Sequence, residues 1–385
     1  MSRSGRVPSV VLLLVVSWAS TATGQGWAES AMETRAFLDR SGRGDLSRLE
    51  TSLVLRARYR HGWDKRSQRI SVEAFWRIGL DNDRRTHLDF RELNWEKRWS
   101  NFELRAGVGT VSWGVIESAS IVDLINQRDL LEGLDKRAKL GQPMVRLSWI
   151  ERWGVVEIFM LPWFRERVFK GRDALLRAGV PVAGDTAVFG SGAGPRHLDW
   201  AVHWTHAVGP FDFGVVLFSG TNRDPRFIEA RDDNAQTVFI PKYDRVRQVG
   251  THAQWTTSRW LWKLETMTRT GQTTVGGGVE YVPVGFLSVF VEYLYDSRGS
   301  EATTLFEDDF FLGARLHWLD GDAGVGTYID RASGNMLFTA EGTRRFGDRW
   351  TVTLAGHLYG GSTTADPPYS PRWDNRVSLT VRRFF

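Results

Sequence analysis

The 385-residue chain contains no cysteine, so no disulfide framework holds it together. Past the first two dozen residues no apolar run approaches the roughly 20 that a transmembrane helix needs, which excludes a helical membrane protein. Charge of one sign is not concentrated either. Fifty Lys and Arg stand against 45 Asp and Glu, and the net +5 is dispersed along the chain. That dispersion argues against a nucleic-acid-binding face. No glycine-rich phosphate loop stands between a strand and a helix, and Gly276 to Gly278 fall inside a strand pattern.

The N-terminus has the features of a secretory signal. Arg3 and Arg6 precede an apolar stretch at 10–19, and Ala22, Thr23 and Gly24 are the small residues a signal peptidase reads. Cleavage is expected after Gly24, with residues 25–385 forming one domain. What the chain has in quantity is 18 Trp, 22 Phe and 39 Gly. Its mean hydropathy is nevertheless only -0.30. An outer-membrane β-barrel combines these properties, because its strands alternate apolar and polar residues. A secreted sandwich or propeller shares the composition, so the pattern has to decide.

Period-two alternation recurs from end to end. Ile70, Val72, Ala74, Trp76 and Ile78 share one face of a strand, with Ser71, Glu73, Phe75 and Arg77 on the other. The same rhythm sets Trp200, Val202 and Trp204 against Asp199, Ala201 and His203, and Val289, Val291 and Tyr293 against Phe290 and Glu292. Each segment is about 9–12 residues, enough to cross a bilayer at a tilt. Three features favour a membrane barrel over a soluble sandwich. The alternating faces end in Trp or Tyr, as at Trp76, Trp204, Trp262, Tyr295, Trp318 and Trp350. The opposite faces carry full charges that a dry core would reject unpaired. Connections alternate short and long, with long ones expected at 116–143, 165–196, 222–241, 297–308 and 366–372. Eighteen antiparallel strands are expected if residues 32–39 supply the first, with sixteen as the alternative count. The short alternation at 324–331 is the easiest to miscount.

The chain closes on Val377, Leu379 and Val381 alternating to a final Phe385. This ending resembles the terminal-strand signal that the barrel assembly machinery of bacterial outer membranes recognises, although Arg383 stands where an apolar residue is usual. Trp113-Gly114, Glu117-Ser118, Asn126-Gln127 and Leu140 to Pro143 form a block similar to one in porin-like outer-membrane proteins of proteobacteria. A larger group of predicted porins carries a comparable block with Pro after the Asn, where this chain has Gln127. The resemblance implies a Gram-negative outer-membrane porin contacting lipid and lipopolysaccharide, with a homotrimer as compatible as a monomer.

An 18-stranded barrel is wide enough for an aqueous lumen, so inward residues form its functional surface. The alternation turns Arg56, Arg58, Arg60, Glu73, Arg77, Arg105, Arg146, Lys263, Glu265 and Arg315 inward, with Arg376 a further candidate. Fixed positive charge in a narrow pore enriches anions. The alternative is that the arginines pair with Glu73, Glu103, Glu265 and Glu292 and merely stiffen the wall. The segment 116–142 breaks the strand rhythm. Ser120 with Asp123 three residues on suggests a helix N-cap, and Ile121, Leu124, Ile125 and Leu131 an apolar stripe. We therefore expect a short helical insertion folded into the lumen, starting from a strand that ends at the outer rim near Trp113. Its Glu117, Asp123, Asn126, Asp129 and Glu132 should then face the arginines across the narrowest point.

The expected function is passive diffusion of small polar, anionic solutes, with no catalysis, metal or cofactor. An exporter working with a periplasmic partner is the alternative, and a barrel enzyme built around His203, His206 and Asp199 a remote one.

Overall fold

The computed structural model describes residues 24–38, 49–82, 85–133, 138–169, 182–183, 187–232, 235, 237–299, 302, 307–361 and 375–385. Within them lie β1 (Gln25–Phe37), β2 (Leu49–Trp63), β3 (Gln68–Gly79), β4 (His87–Trp99), β5 (Phe102–Gly109), β6 (Gln142–Glu151) and β7 (Gly154–Leu161). Then follow β8 (Val188–Phe189), β9 (Asp199–Val208), β10 (Phe211–Thr221), β11 (Arg226–Arg231), β12 (Thr237–Tyr243), β13 (Arg245–Thr256) and β14 (Trp260–Arg269). The chain finishes with β15 (Gln272–Val284), β16 (Leu287–Asp296), β17 (Asp308–Trp318), β18 (Gly321–Asp330), β19 (Met336–Phe346), β20 (Trp350–Gly360) and β21 (Arg376–Phe384).

Eighteen of these strands form one antiparallel ring in which each pairs with its neighbours along the chain, leaving out β8, β11 and β12. The ring closes because β1 pairs with β2 on one edge and β21 on the other, Met32 lying opposite both Leu53 and Val381. Closure leaves no strand edge unpaired, which a β-structure inside a bilayer requires. The count of eighteen replaces the alternative of sixteen, and the doubtful alternation at 324–331 lies in β18 up to its last residue, Asp330.

Strand β14 shows why this sequence makes a barrel and not a sandwich. Its Trp262 and Leu264 are 47% and 45% exposed, whereas Lys263 and Glu265 are 7% and 0% exposed. The apolar face looks out and the charged face looks in, the inverse of a water-soluble fold. The same inversion holds at β7, where Ile158 is exposed and Phe159 buried, and at β16, where Val291 is exposed and Glu292 buried. Exposed Trp262, Trp318, Trp350 and Tyr295 stand on the outer face, where an interfacial girdle would need them.

At one end of the ring the connections are tight, among them 100–101, 152–153, 209–210, 285–286 and 319–320. Both ends of the described chain lie there, since the Phe385 amide donates to the Ala28 carbonyl at 2.9 Å. The opposite end carries the long connections, with two differences from expectation. The connection from β14 to β15 is only Thr270 and Gly271, with Gly271 at a φ of 75°. Residues 222–244 are not plain loop either, because β11 and β12 form a hairpin there, and β8 adds to β12 in parallel. Pro241, the last residue of the expected long connection, sits within β12 opposite Phe227. The expected signal peptide falls almost wholly on residues 1–23, and that segment and the expected long connection at 366–372 lie outside the described residues.

Candidate functional site

Residues 110–141 leave the ring after β5, cross its interior and return to β6. The described residues among them contain no helix, which corrects the sequence expectation, and six of their backbone donors go to the barrel wall. Glu265, wholly buried on the inner face of β14, accepts from the Val115 and Ile116 amides through Oε1 at 2.6 and 2.9 Å. Its Oε2 accepts from Ile121 and Val122 at 2.9 and 3.3 Å. Glu292 on β16 accepts from the Glu117 and Ser118 amides, both at 2.8 Å. Two wall carboxylates thus take six amides of residues 115–122 in charge-assisted bonds, which tie this stretch to the barrel wall. Close approach is what glycine permits here. At Gly114, with φ at 103°, a Cβ would lie 2.4 Å from the Glu265 carboxylate, and at Gly276 2.7 Å from the Ile121 side chain.

Asn126 closes the neck of the insertion. Its amide donates to the Gly109 carbonyl at 2.9 Å and the Leu140 carbonyl at 2.8 Å, and its oxygen accepts from Val111 at 2.9 Å. Trp113 is consequently not at the outer rim, which corrects a second expectation. β5 ends at Gly109, and Trp113 is buried in the lumen against Phe159 and His203, with ring centroids at 5.3 and 4.6 Å. It joins Val122, Leu124, Ile125 and Phe218 in an apolar cluster that seats the insertion on the inner wall of β6, β7, β9 and β10.

The expected acids of the insertion fall in three settings. Glu117 meets Arg315 at 2.6 Å and Lys263 at 3.4 Å. Asp129 pairs with Arg91, and the Glu132 carboxylate is held by Arg77 at 2.7 and 2.5 Å while its carbonyl accepts from Arg35. Asp123 does not face the wall but pairs with Lys139 of the insertion itself, a third correction. Lys139 also donates to the Val111 carbonyl and the Ser112 hydroxyl, so this cation is spent on folding the segment against itself.

The expected wall residues all lie on inward strand faces, but in two electrostatic situations. Arg105 is bound to Glu96 at 3.0 Å, Arg146 to Glu157 at 3.2 Å and to Glu103, and Lys263 to Glu280 at 2.7 Å. Arg77 and Arg376 are buried. By contrast Arg56, Arg58, Arg60, Arg315 and Arg382 keep side-chain exposures of 29–41%. Glu29 and Glu73, the partners of Arg56, Arg58 and Arg382, retain only 6% and 8%, while Glu92 beside Arg60 keeps 17% and Glu117 beside Arg315 keeps 24%. The open part of the lumen therefore meets guanidinium groups on β2 and β21 with more deeply buried carboxylates behind them, and on β17 the Arg315–Glu117 pair, both partly exposed.

Glu33, Arg35, Arg91 and Lys139 were not foreseen as parts of this network, although Glu33 and Arg35 are in phase on β1. Arg91 was hidden by a bulge opposite Glu73 and Ala74, which shifts the inward phase of β4 from Asp89 and Arg91 to Asn94 and Glu96. His87, Asp129 and Glu132 bring ligand atoms within 4.8 Å of one another, yet both acids are already neutralised by arginines. The enzyme-like group does not assemble. His203 bonds Glu157 and His252, and Asp199 is taken by His197 at 2.8 Å and Arg223 at 2.7 Å.

No family model matches the chain and no curated protein matches it. Among solved structures, a triple mutant of Rhodopseudomonas blastica porin shares 9% identity and a TM-score of 0.46 over 94% of this chain and 99% of its own. A structure described as asymmetric conductivity of engineered proteins shares 10% identity, with a TM-score of 0.47 and the same coverage. The closed ring of strand pairings itself, and not this likeness, establishes the barrel.

Proposed function

We propose that the protein is an outer-membrane channel for passive diffusion of small polar solutes, with a preference for anions. The observation that carries this reading is the asymmetry of exposure. Arg56, Arg58 and Arg60 present water-accessible charge while Glu29 and Glu73 are buried. A solute in the lumen therefore meets a positive field despite the nearly balanced pairs, and local anion concentration rises. Size exclusion comes from the insertion, with Glu117 opposite Arg315 and Lys263 at its edge. The apolar outer face supports a lipid environment with lipopolysaccharide on the long-connection side, and the strand beginning at Gln25 supports removal of the preceding residues as a signal. Phe385 would serve the assembly machinery, and both monomer and homotrimer fit. Neither a cofactor nor a metal is needed.

Planar-bilayer recording in a potassium chloride gradient tests the proposal, with a reversal potential of the anion-selective sign expected. Cation selectivity would sink the arginine-lined pore. A second reading, an exporter plugged at rest and opened by a periplasmic partner, is favoured by the apolar cluster that seals one side of the lumen. A folded protein without conductance would support it over the open channel.

A further inference from the structure

A cavity of about 240 Å³ lies on the long-connection side of the insertion, between residues 119–130, Asn222 to Asp224 and the outer ends of β13 to β16. It is too large for a single water and of a size for a small organic molecule. Its wall is divided. Leu124, Phe218, Met267 and Leu294 make an apolar side, and Arg128, Arg167, Arg223 and Arg269 supply positive charge.

That charge is only partly cancelled, Arg223 being paired with Asp199 at 2.7 Å. Of the two acids lining the cavity, Asp123 is engaged by Lys139 and Asp224 by Arg167 at 3.1 Å. Arg128 and Arg269 meet no carboxylate at ion-pair distance among the described residues, Arg269 donating instead to the Asn222 side-chain oxygen at 2.8 Å. A second cavity of about 300 Å³ shares Asn222, Asp224 and Arg269 and adds Arg245 and Arg247, together with Arg226 paired to Asp244 at 2.5 Å and Arg298 paired to Asp296 at 2.7 Å.

Four side chains of the first cavity, all more than nine-tenths buried, each leave one polar atom without a partner. Two are donors, Arg223 Nη2 and Gln127 Nε2, and two are acceptors, Gln248 Oε1 and Gln272 Oε1. Gln272 is oriented by its own donation to Thr274 at 3.0 Å and Asp296 at 2.9 Å, which leaves its oxygen as the open group. Four side chains with unmet hydrogen-bonding capacity thus line one cavity with their open atoms closed off from solvent, and a ligand reaches those atoms when the side chains turn.

We propose that this cavity binds a small carboxylate with an apolar, hydroxyl-bearing body, and that it captures such solutes before they reach the opening beside the insertion. The carboxylate takes the free donors of Arg223 and Gln127, with Arg128 and Arg269 adding charge. The apolar body lies against Leu124 and Met267, and the hydroxyl donates to Gln248 or Gln272. This assignment deepens the channel reading and rests on it only for the route that follows capture.

The test is isothermal titration of the purified, refolded full-length protein with 4-hydroxybenzoate, its methyl ester and acetate, beside conductance of the same preparation in potassium chloride. Saturable binding of 4-hydroxybenzoate is expected, with the uncharged ester and the bodiless acetate about ten-fold weaker or worse, the scale of one lost charge-assisted contact. Met267→Trp, which fills the apolar side, and Arg128→Gln, which removes an unpaired charge, should weaken it by a similar factor. Equal affinity for ester or acetate, no saturable binding, or unchanged affinity in either folded variant would overturn the site. Conductance without binding removes the site and leaves the channel, and binding without conductance does the reverse.

Discussion

Replacing Glu265 by Gln is the sharpest perturbation of the insertion. The carboxylate has 0% exposure and accepts four backbone amides, two on each oxygen. Glutamine keeps one acceptor oxygen and turns the other into an amide nitrogen that faces two donors. At about 1.5–3 kcal/mol per hydrogen bond to a charged group, the loss of two comes to about 3–6 kcal/mol before relaxation. That shifts the seated-to-released equilibrium of residues 115–122 by a factor of about 10²–10⁴. The ring itself should survive, because its backbone pairing around Glu265 with His252 and Gly276 does not involve the side chain. Single-channel recording of Glu265→Gln should show a larger mean conductance with added transitions between levels, and trypsin should cut within 115–133. Unchanged conductance, noise and protease resistance in a protein with native β-sheet circular dichroism would refute the claim that Glu265 holds the insertion.

Replacing Arg56, Arg58 and Arg60 together by Gln should move the reversal potential toward cation selectivity, with conductance persisting; an unmoved potential would reassign these residues to wall stiffening. Gly276→Val places side-chain atoms where the Ile116 and Ile121 methyls already lie, at 2.9 and 2.7 Å from a Cβ, and should unseat the insertion as Glu265→Gln does. Asp129 gives a pH dependence: burial opposes its ionisation, but the His87 ring 3.5 Å away and the hydrogen-bonded Arg91 charge outweigh this and hold the carboxyl below its usual range. A depressed carboxyl contributes stability above its unfolded pKa of about 3.9 and loses it as pH falls through the folded value. Thermal stability should therefore hold from neutrality to about pH 5 and decline in stronger acid. The Asp129→Asn variant should start lower and decline less. A parallel decline in both proteins would remove Asp129 as the cause.

The strand arrangement was legible because alternation needs only neighbours. In β2 no bulge interrupts the phase, so Arg56, Arg58 and Arg60 could be set inward from spacing alone. In β4 one bulge exchanges the faces midway, and period-two reasoning fails at Arg91. The insertion was legible as a break but not as a conformation. Its Ser120 and Asp123 resemble a helix start, yet acceptors on Glu265 and Glu292, about 150 and 175 positions distant, tie the backbone of 115–122 to the wall instead. Trp113 was misplaced for the same reason, since its burial depends on Phe159 and His203 in strands not yet traversed. Long-range partners leave no trace in local pattern.

The crossing segment also has a mechanical consequence. Wide antiparallel rings are soft in cross-section, since neighbouring strands can hinge about their ladders and let a cylinder flatten. Here Arg77 and Arg91 grip one end of a rigid span, and Glu265, Glu292 and Tyr328 grip the other. The span acts as a spoke, fixing the distance between β3–β4 and β14–β18 against lateral pressure from the surrounding lipid. The bore on its open side then has a set width, and the spacing of Arg56, Arg58 and Arg60 from Arg315 does not drift with the bilayer.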